Sequence, residues 1–333
     1  MLHRIMALFL FFVFLPLASP AERITLNYAN FPPASTFPCV QMERWKAEVE
    51  KRTDGLLKID TFPGGTLLGA KNMLRGVMSG QADIGCLCMS YQPGVFPMTT
   101  VVELPVEFKT SEQASLVLWD LYKKYDPQEF SRVKVLTMFT TAPSNLMTKK
   151  PVENLKDMQG MQIRASGAAS SILEILGATP VSMPMSETPE ALQKGMVKGV
   201  FSSLEVLKDL NFADYCPYQT KLDLQVYPFA VVMNRSKWES LPEKVRRVID
   251  ELSREQAGWT GRYMDRHVQD ALAYARKEYG GQMFAFDGRN KELMLERVRP
   301  LVADWKEEAE KRGLDSEAIL KDLYRLRDRH APQ

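Results

Sequence analysis

Histidine is scarce in this sequence: His3, His267 and His330 are the only three among 333 residues, and there are only four cysteines. These shortages exclude most metal centres and most chemistry that needs an imidazole base. Charge of either sign is in no excess, with 43 Lys and Arg against 41 Asp and Glu, a formal +2. A protein that grips a phosphate backbone carries a basic surplus, so nucleic acid is not an expected partner. No G-x-S-x-G, P-loop or G-x-G-x-x-G run occurs, and no solenoid repeat or low-complexity tract. No cofactor, bound metal or ATP site is called for. What is present is ordinary: 45% hydrophobic and 25% charged residues, in a length that suggests two domains with full cores.

The N-terminus reads as an address. A short stretch with Arg4 precedes an apolar run of 13 residues, Ile5 to Leu17, too short for an ordinary membrane span. Ser19-Pro20-Ala21 supplies small residues before Glu22, which predicts a signal peptide over 1–21, cleavage after Ala21 and a periplasmic protein. Pro16, Pro20 and the lack of stop-transfer charge argue against an uncleaved anchor. No cysteine follows the run, so no lipid anchor is indicated. Cys86 and Cys88 share a face of one apparent strand, a poor geometry for a bridge, and the spacing with Cys39 and Cys216 does not suit zinc. Buried free thiols are the plain reading; a Cys39–Cys216 disulfide stays open.

Alternation at Ile24, Leu26 and Tyr28 and again at Leu57, Ile59 and Thr61 predicts strands, and Ala82 to Met89 reads as a buried one. Helical spacing of Met42, Trp45 and Val49, and of Met73, Leu74, Val77 and Met78, completes a βαβαβ unit. Further strands are expected at Val133 to Phe139, Met161 to Arg164, Gly199 to Phe201 and Val226 to Met233, with helices at Ala168 to Leu176 and after Thr188. From Pro242 to Tyr279 almost every residue fits a helix, although Gly258 and Gly261 are expected kink or break points. Leu301 to Leu326 reads as two helices split at Gly313. The fold class is α/β.

His267 and His330 lie in charged helical contexts and read as solvated surface groups, so a catalytic role is not expected. A binding site asks for less: a concave apolar wall and a few fixed polar groups. Arg164 ends a predicted strand, and Ser166-Gly167 leads straight into a helix, which places its guanidinium near strand C-termini, where α/β sheets bind ligands. Its fork can take a carboxylate through two parallel hydrogen bonds. The residues alone leave a plain surface arginine as the alternative.

Several runs resemble the DctP-type substrate-binding proteins of tripartite ATP-independent periplasmic (TRAP) transporters. In the first half they are Glu50 to Gly55, Phe62 to Gly65, Leu68-Gly69 and Ser79 to Ile84. In the second they are Leu155 to Arg164, Gly177 to Val181 and Glu190 to Gly195, followed by Asn234, Trp238 and Leu241-Pro242. The resemblance implies two α/β lobes joined by crossing strands and a long helix. The first lobe would take 22–142 and about 230–260, the second 143–229 and about 261–333 with the C-terminal helices. It implies that Arg164 grips the carboxylate of a small ligand between the lobes, and that the loaded protein delivers it to the small and large TRAP membrane subunits, driven by an ion gradient without ATP.

Departures from the family pattern bear on the substrate. Many relatives carry a second arginine where this sequence has Ser144, and many have a polar run with Asn where this sequence reads Lys198 to Ser203, putting Ser202 at the Asn position. Where some relatives present an acidic contact, this sequence has Cys86 to Ser90. Each change removes charge or polarity. The expected cleft residues besides Arg164, Ser144 and Ser202 are Phe31, Phe37, Leu87, Met89, Met185, Phe201 and Tyr227. Singly each reads as core; together with one arginine they suggest a monocarboxylate with an aromatic or hydrophobic body. The alternatives are a C4-dicarboxylate or sugar acid in the same class, a stand-alone ligand sensor, or an exported enzyme on a similar scaffold.

Overall fold

The computed structural model describes residues 23–332, so the expected signal peptide and its cleavage point lie outside the described residues. Two sheets organise the fold. The opening βαβαβ unit forms as expected: β1 (Ile24–Asn30), β2 (Leu57–Phe62) and β3 (Ile84–Cys88) are parallel, with helices Phe37–Arg52 and Met73–Met78 between them. β4 (Val133–Thr140) closes one edge of this sheet. The second sheet begins with β5 (Asn145–Thr148), β6 (Gln162–Ala165), β7 (Thr179–Ser182), β8 (Gly199–Ser202) and β9 (Tyr218–Lys221). The backbone then returns as β10 (Pro228–Asn234), which lies antiparallel between β3 and β4 and completes the order β2-β1-β3-β10-β4. β11 (Gln282–Ala285) joins the second sheet, whose order is β11-β9-β5-β8-β6-β7. Each sheet carries helices, giving two α/β lobes.

Three connections cross between the lobes. Residues 141–144 leave the first sheet and 222–227 return to it side by side, with Thr141 N–H donating to the Tyr227 carbonyl at 3.0 Å and Ser144 N–H to that of Gln225 at 2.7 Å. The third is the helix Glu243–Tyr279, which packs on Phe37–Arg52, Ser111–Tyr125 and β4 in the first lobe and on Val206–Asp209 and Phe212–Tyr215 in the second. Its 37 residues run without a break, roughly 55 Å. The two glycines expected to interrupt it do not. A Cβ at Gly261 would lie 2.4 Å from the Cα of Glu112, so this glycine admits the N-terminus of Ser111–Tyr125, whose first N–H groups Asp265 caps at 2.7 and 3.1 Å. At Gly258 the nearest atom would be 3.4 Å away, the tip of Arg262. Gly261→Ala is therefore expected to cost about 2 kcal/mol or more of unfolding free energy, and Gly258→Ala to be neutral or to stabilise by up to about 1 kcal/mol. Urea unfolding of the two variants checks this, and equal midpoints would contradict it.

Gly313, at φ +75°, separates the helices Pro300–Lys311 and Ser316–Arg329, and Asp315 caps the second, as the sequence suggests. The last helix packs on Ser111–Tyr125 in the first lobe. Cys39, Cys86, Cys88 and Cys216 are all free and buried, so the bridge left open between Cys39 and Cys216 is not formed. Among the described residues no helix is long and apolar enough to cross a membrane.

Candidate functional site

Arg164 lies between the lobes and is 1% exposed. It stands one residue from the end of β6, in register with Val200 of β8. Its Nε and Nη2 donate to the Met183 carbonyl at 3.0 and 2.7 Å, and Nη2 also reaches the Tyr91 hydroxyl at 3.1 Å and Ser166 Oγ at 3.4 Å. The rings of Tyr91 and Tyr227 sit 5.9 Å from the guanidinium carbon. All these partners are neutral: burial pushes both phenols up and the Cys88 thiol up to about 12. Among the described residues Nη1 has no hydrogen-bond partner and no carboxylate pairs with the guanidinium. A buried, permanent cation without a counter-ion is costly unless a ligand brings the anion.

The guanidinium opens onto a cavity lined by residues of both lobes. Aromatic rings make much of the wall. Phe31 stacks on Phe229 at 6.4 Å and Phe229 on Phe139 at 5.3 Å, while Phe37 meets Phe229 and Phe139 edge-on and Tyr91 meets Phe31 edge-on. Tyr91 accepts from Arg164 and from the Met185 N–H at 3.0 Å, which leaves its own O–H available to a ligand. Tyr227 instead donates to the Phe201 carbonyl at 3.1 Å.

Of the expected residues, Arg164, Ser202, Phe31, Phe37, Met185 and Tyr227 line this cavity. Four do not. Successive strand residues face opposite sides, so Phe201 and Ser202 cannot both face the cleft; Ser202, on the Arg164 face, does, and Phe201 is core. The same alternation turns Leu87 away: Cys88 and its register partner Phe229 line the cavity, while Leu87 and its partner Ala230 face the other side. Met89 is buried against Thr99, its sulfur 3.4 Å from Thr99 Oγ1, and lines a separate recess. Ser144 is tied into the crossing strands, accepting from Gln225 Nε2 at 2.9 Å.

Two acids in the wall escaped the sequence reading, Glu205 and Asp209. Both follow the end of β8, where strand topology places ligand contacts, and that position was the available signal. The expectation of a wall without acidic groups is thereby corrected. His267 is corrected too: it is buried, not solvated, because its Nε2 lies 2.6 Å from Asp209 Oδ1, and Asp209 Oδ2 accepts the Phe37 N–H at 3.2 Å. His330 is half-buried and bonded to Asp120 at 2.8 Å.

Residues 28–308 match the family model of the bacterial extracellular solute-binding proteins, family 7, DctP. The protein belongs to the DctP family. A TRAP periplasmic solute-binding protein from Desulfovibrio salexigens is 60% identical, with 92% of this sequence and 96% of that one covered and a TM-score of 0.83. Its structure is an open complex with the C-terminus of a symmetry mate in the ligand-binding site. A marine metagenome TRAP solute-binding protein specific for aromatic acid ligands, in complex with 3-hydroxybenzoate, is 27% identical over 93% of this sequence and 100% of its own, with a TM-score of 0.89. One from Bordetella bronchiseptica with bound mandelate is 25% identical over 92% and 99%, with a TM-score of 0.87. The protein is thus a TRAP solute-binding protein with the two-lobed fold of its relatives, and the family is a substrate-binding component of transport.

In this DctP protein the lobes meet through more than the cavity. Glu103, from the first lobe, accepts Ser90 Oγ at 2.6 Å and, across the interface, the backbone N–H of Ala168 at 2.9 Å. It thereby caps the N-terminus of Ala168–Ile175 in the second lobe. Gly167, at φ +59°, makes room: a Cβ there would lie 2.6 Å from Glu103 Oε2 and 2.8 Å from Ser90 Cβ.

Burial pushes the Glu103 and Glu205 carboxyls up, each to about 7, and hydrogen bonding to Asp209 raises His267. Each group binds its proton more tightly in the folded protein than in the unfolded state. For the two acids the resulting stability is full below the ordinary carboxylate range and is lost as pH rises through about 7; the His267 contribution fades in the same direction, as pH rises through its raised value. The ligand-free protein is expected to lose about 5 °C or more of Tm between pH 5 and pH 8. Thermal melts at constant ionic strength test this, and a Tm that climbs over that range would contradict it.

Proposed function

We propose that this protein captures an aromatic or hydrophobic monocarboxylate between its lobes and hands it to the small and large membrane subunits of a TRAP transporter, without catalysing a reaction. The observation that carries this reading is Arg164: a buried guanidinium with neutral partners and a spare donor, roofed by aromatic rings. A carboxylate entering the cleft supplies the missing charge and takes donors from Arg164 and the Tyr91 hydroxyl. Its body replaces water against Phe31, Phe37 and Phe229. Closure then removes the ion pair from water, which strengthens it. The C-terminus bound in the Desulfovibrio relative and the aromatic acids in the two others are the kind of ligand this arrangement suits. Export through cleavage after Ala21 belongs to the same proposal.

A thermal-shift titration of the exported form against aromatic monocarboxylates, 2-oxo acids, C4-dicarboxylates and sugar acids tests it. A ligand at 100 times its Kd adds about 2.7 kcal/mol of stability, a readily measured shift. The proposal expects the largest shifts from aromatic monocarboxylates. Shifts confined to dicarboxylates or sugar acids would overturn the substrate class.

A further inference from the structure

The two acids of the cavity wall are not equivalent. Asp209 has both oxygens engaged, one by His267 and one by the Phe37 N–H, so it is compensated within the protein. Glu205 is 3% exposed, and the one side-chain partner it has among the described residues is Ser203 Oγ, on Oε2. Its other oxygen has no side-chain partner among the described residues, and the residue lines the cavity. Arg164 and Glu205 rise from adjacent parallel strands: Val200 is the register partner of Arg164, and Glu205 follows five positions later, beyond the strand end. The cavity therefore has a cationic end and, displaced from it, a spare acceptor in an apolar setting.

We infer that Glu205 is a specificity-determining residue that accepts a hydrogen bond from a hydroxyl on the ligand body and rejects a second carboxylate there. The inference rests on the proposed aromatic monocarboxylate ligand and narrows it to hydroxylated aromatic monocarboxylates. Above pH 7, where Glu205 is ionised, an unsubstituted ring leaves the buried acceptor unmatched, and a dianion sets two like charges together in a poorly solvating wall. Ser144 is turned into the crossing strands and offers no charge to a second carboxylate.

The test is isothermal titration at pH 8, where Glu205 is ionised, of the full mature protein with benzoate, the three hydroxybenzoates and terephthalate, for the wild type, Glu205→Gln and Glu205→Leu. In the wild type the best hydroxybenzoate is expected to bind at least 10-fold more tightly than benzoate, with terephthalate undetected. In Glu205→Leu that ratio falls below 3-fold, and Glu205→Gln gains measurable terephthalate binding. Ligand-free melts confirm that both variants fold. If benzoate binds in an Arg164-dependent way but the ratio survives in Glu205→Leu, or no hydroxybenzoate outranks benzoate, the role of Glu205 is wrong and the substrate class stands. If no aromatic monocarboxylate binds the wild type, both fall.

Discussion

Arg164→Met is expected to abolish carboxylate binding and leave the ligand-free protein as stable as before or more so. The guanidinium gives the anion a charge-assisted fork in a dry cleft, and removing one partner of such a pair costs about 3–4 kcal/mol, or roughly 100- to 1000-fold in Kd. Methionine fills a similar volume without an uncompensated charge, and replacing buried charge with apolar bulk is often neutral or stabilising. The paired outcome separates a ligand-gripping arginine from a structural one, whose loss would lower affinity and Tm together. Arg164→Lys is expected to recover little, because a point charge cannot hold the Met183 carbonyl and a carboxylate in one plane as the fork does. A methionine variant that binds its acid within 3-fold of the wild type would sink the assignment.

Gly167→Ala comes second in size. Its Cβ would strike Glu103 and Ser90 on the opposite lobe, and φ +59° with ψ −146° is a backbone state that side chains resist. The close approach exists only when the lobes meet, so most of the penalty falls on the closed form. Ligand affinity is expected to drop by about 10- to 100-fold, equivalent to roughly 1–3 kcal/mol, in excess of what the change in ligand-free Tm predicts. Small-angle scattering with saturating ligand should show a larger radius of gyration than for the ligand-bound wild type. Unchanged affinity would mean that the Glu103 cap on Ala168 is incidental to closure.

Much of the architecture was legible because it rests on local periodicity. The βαβαβ unit, β4, β10 and the long helix declare themselves through alternation or helical spacing, and Arg164 through its place at a strand end. Strands of four residues such as β5, β7, β9 and β11 were not assigned, since so short a segment shows too few alternations to separate from loop. Two of the misplaced cleft residues share one cause. Leu87 and Phe201 are as apolar as a cleft wall requires, but which face of a strand turns inward is fixed by pairing with distant strands, and a shift of one residue reverses it. Glu205, Asp209 and His267 were missed for a related reason: a charged residue reads as solvated until the packing that buries it is known.

The long helix also limits how the cleft can open. It passes through both lobes without a break, while residues 141–144 and 222–227 run beside each other as a hydrogen-bonded pair. Three tethers, one of them stiff, leave the lobes essentially a single degree of freedom, a rotation about the line of the paired segments. Sliding and twisting are suppressed, so the separation of the outward rims follows one angle. A membrane partner that reads this angle would tell loaded from empty without touching the ligand.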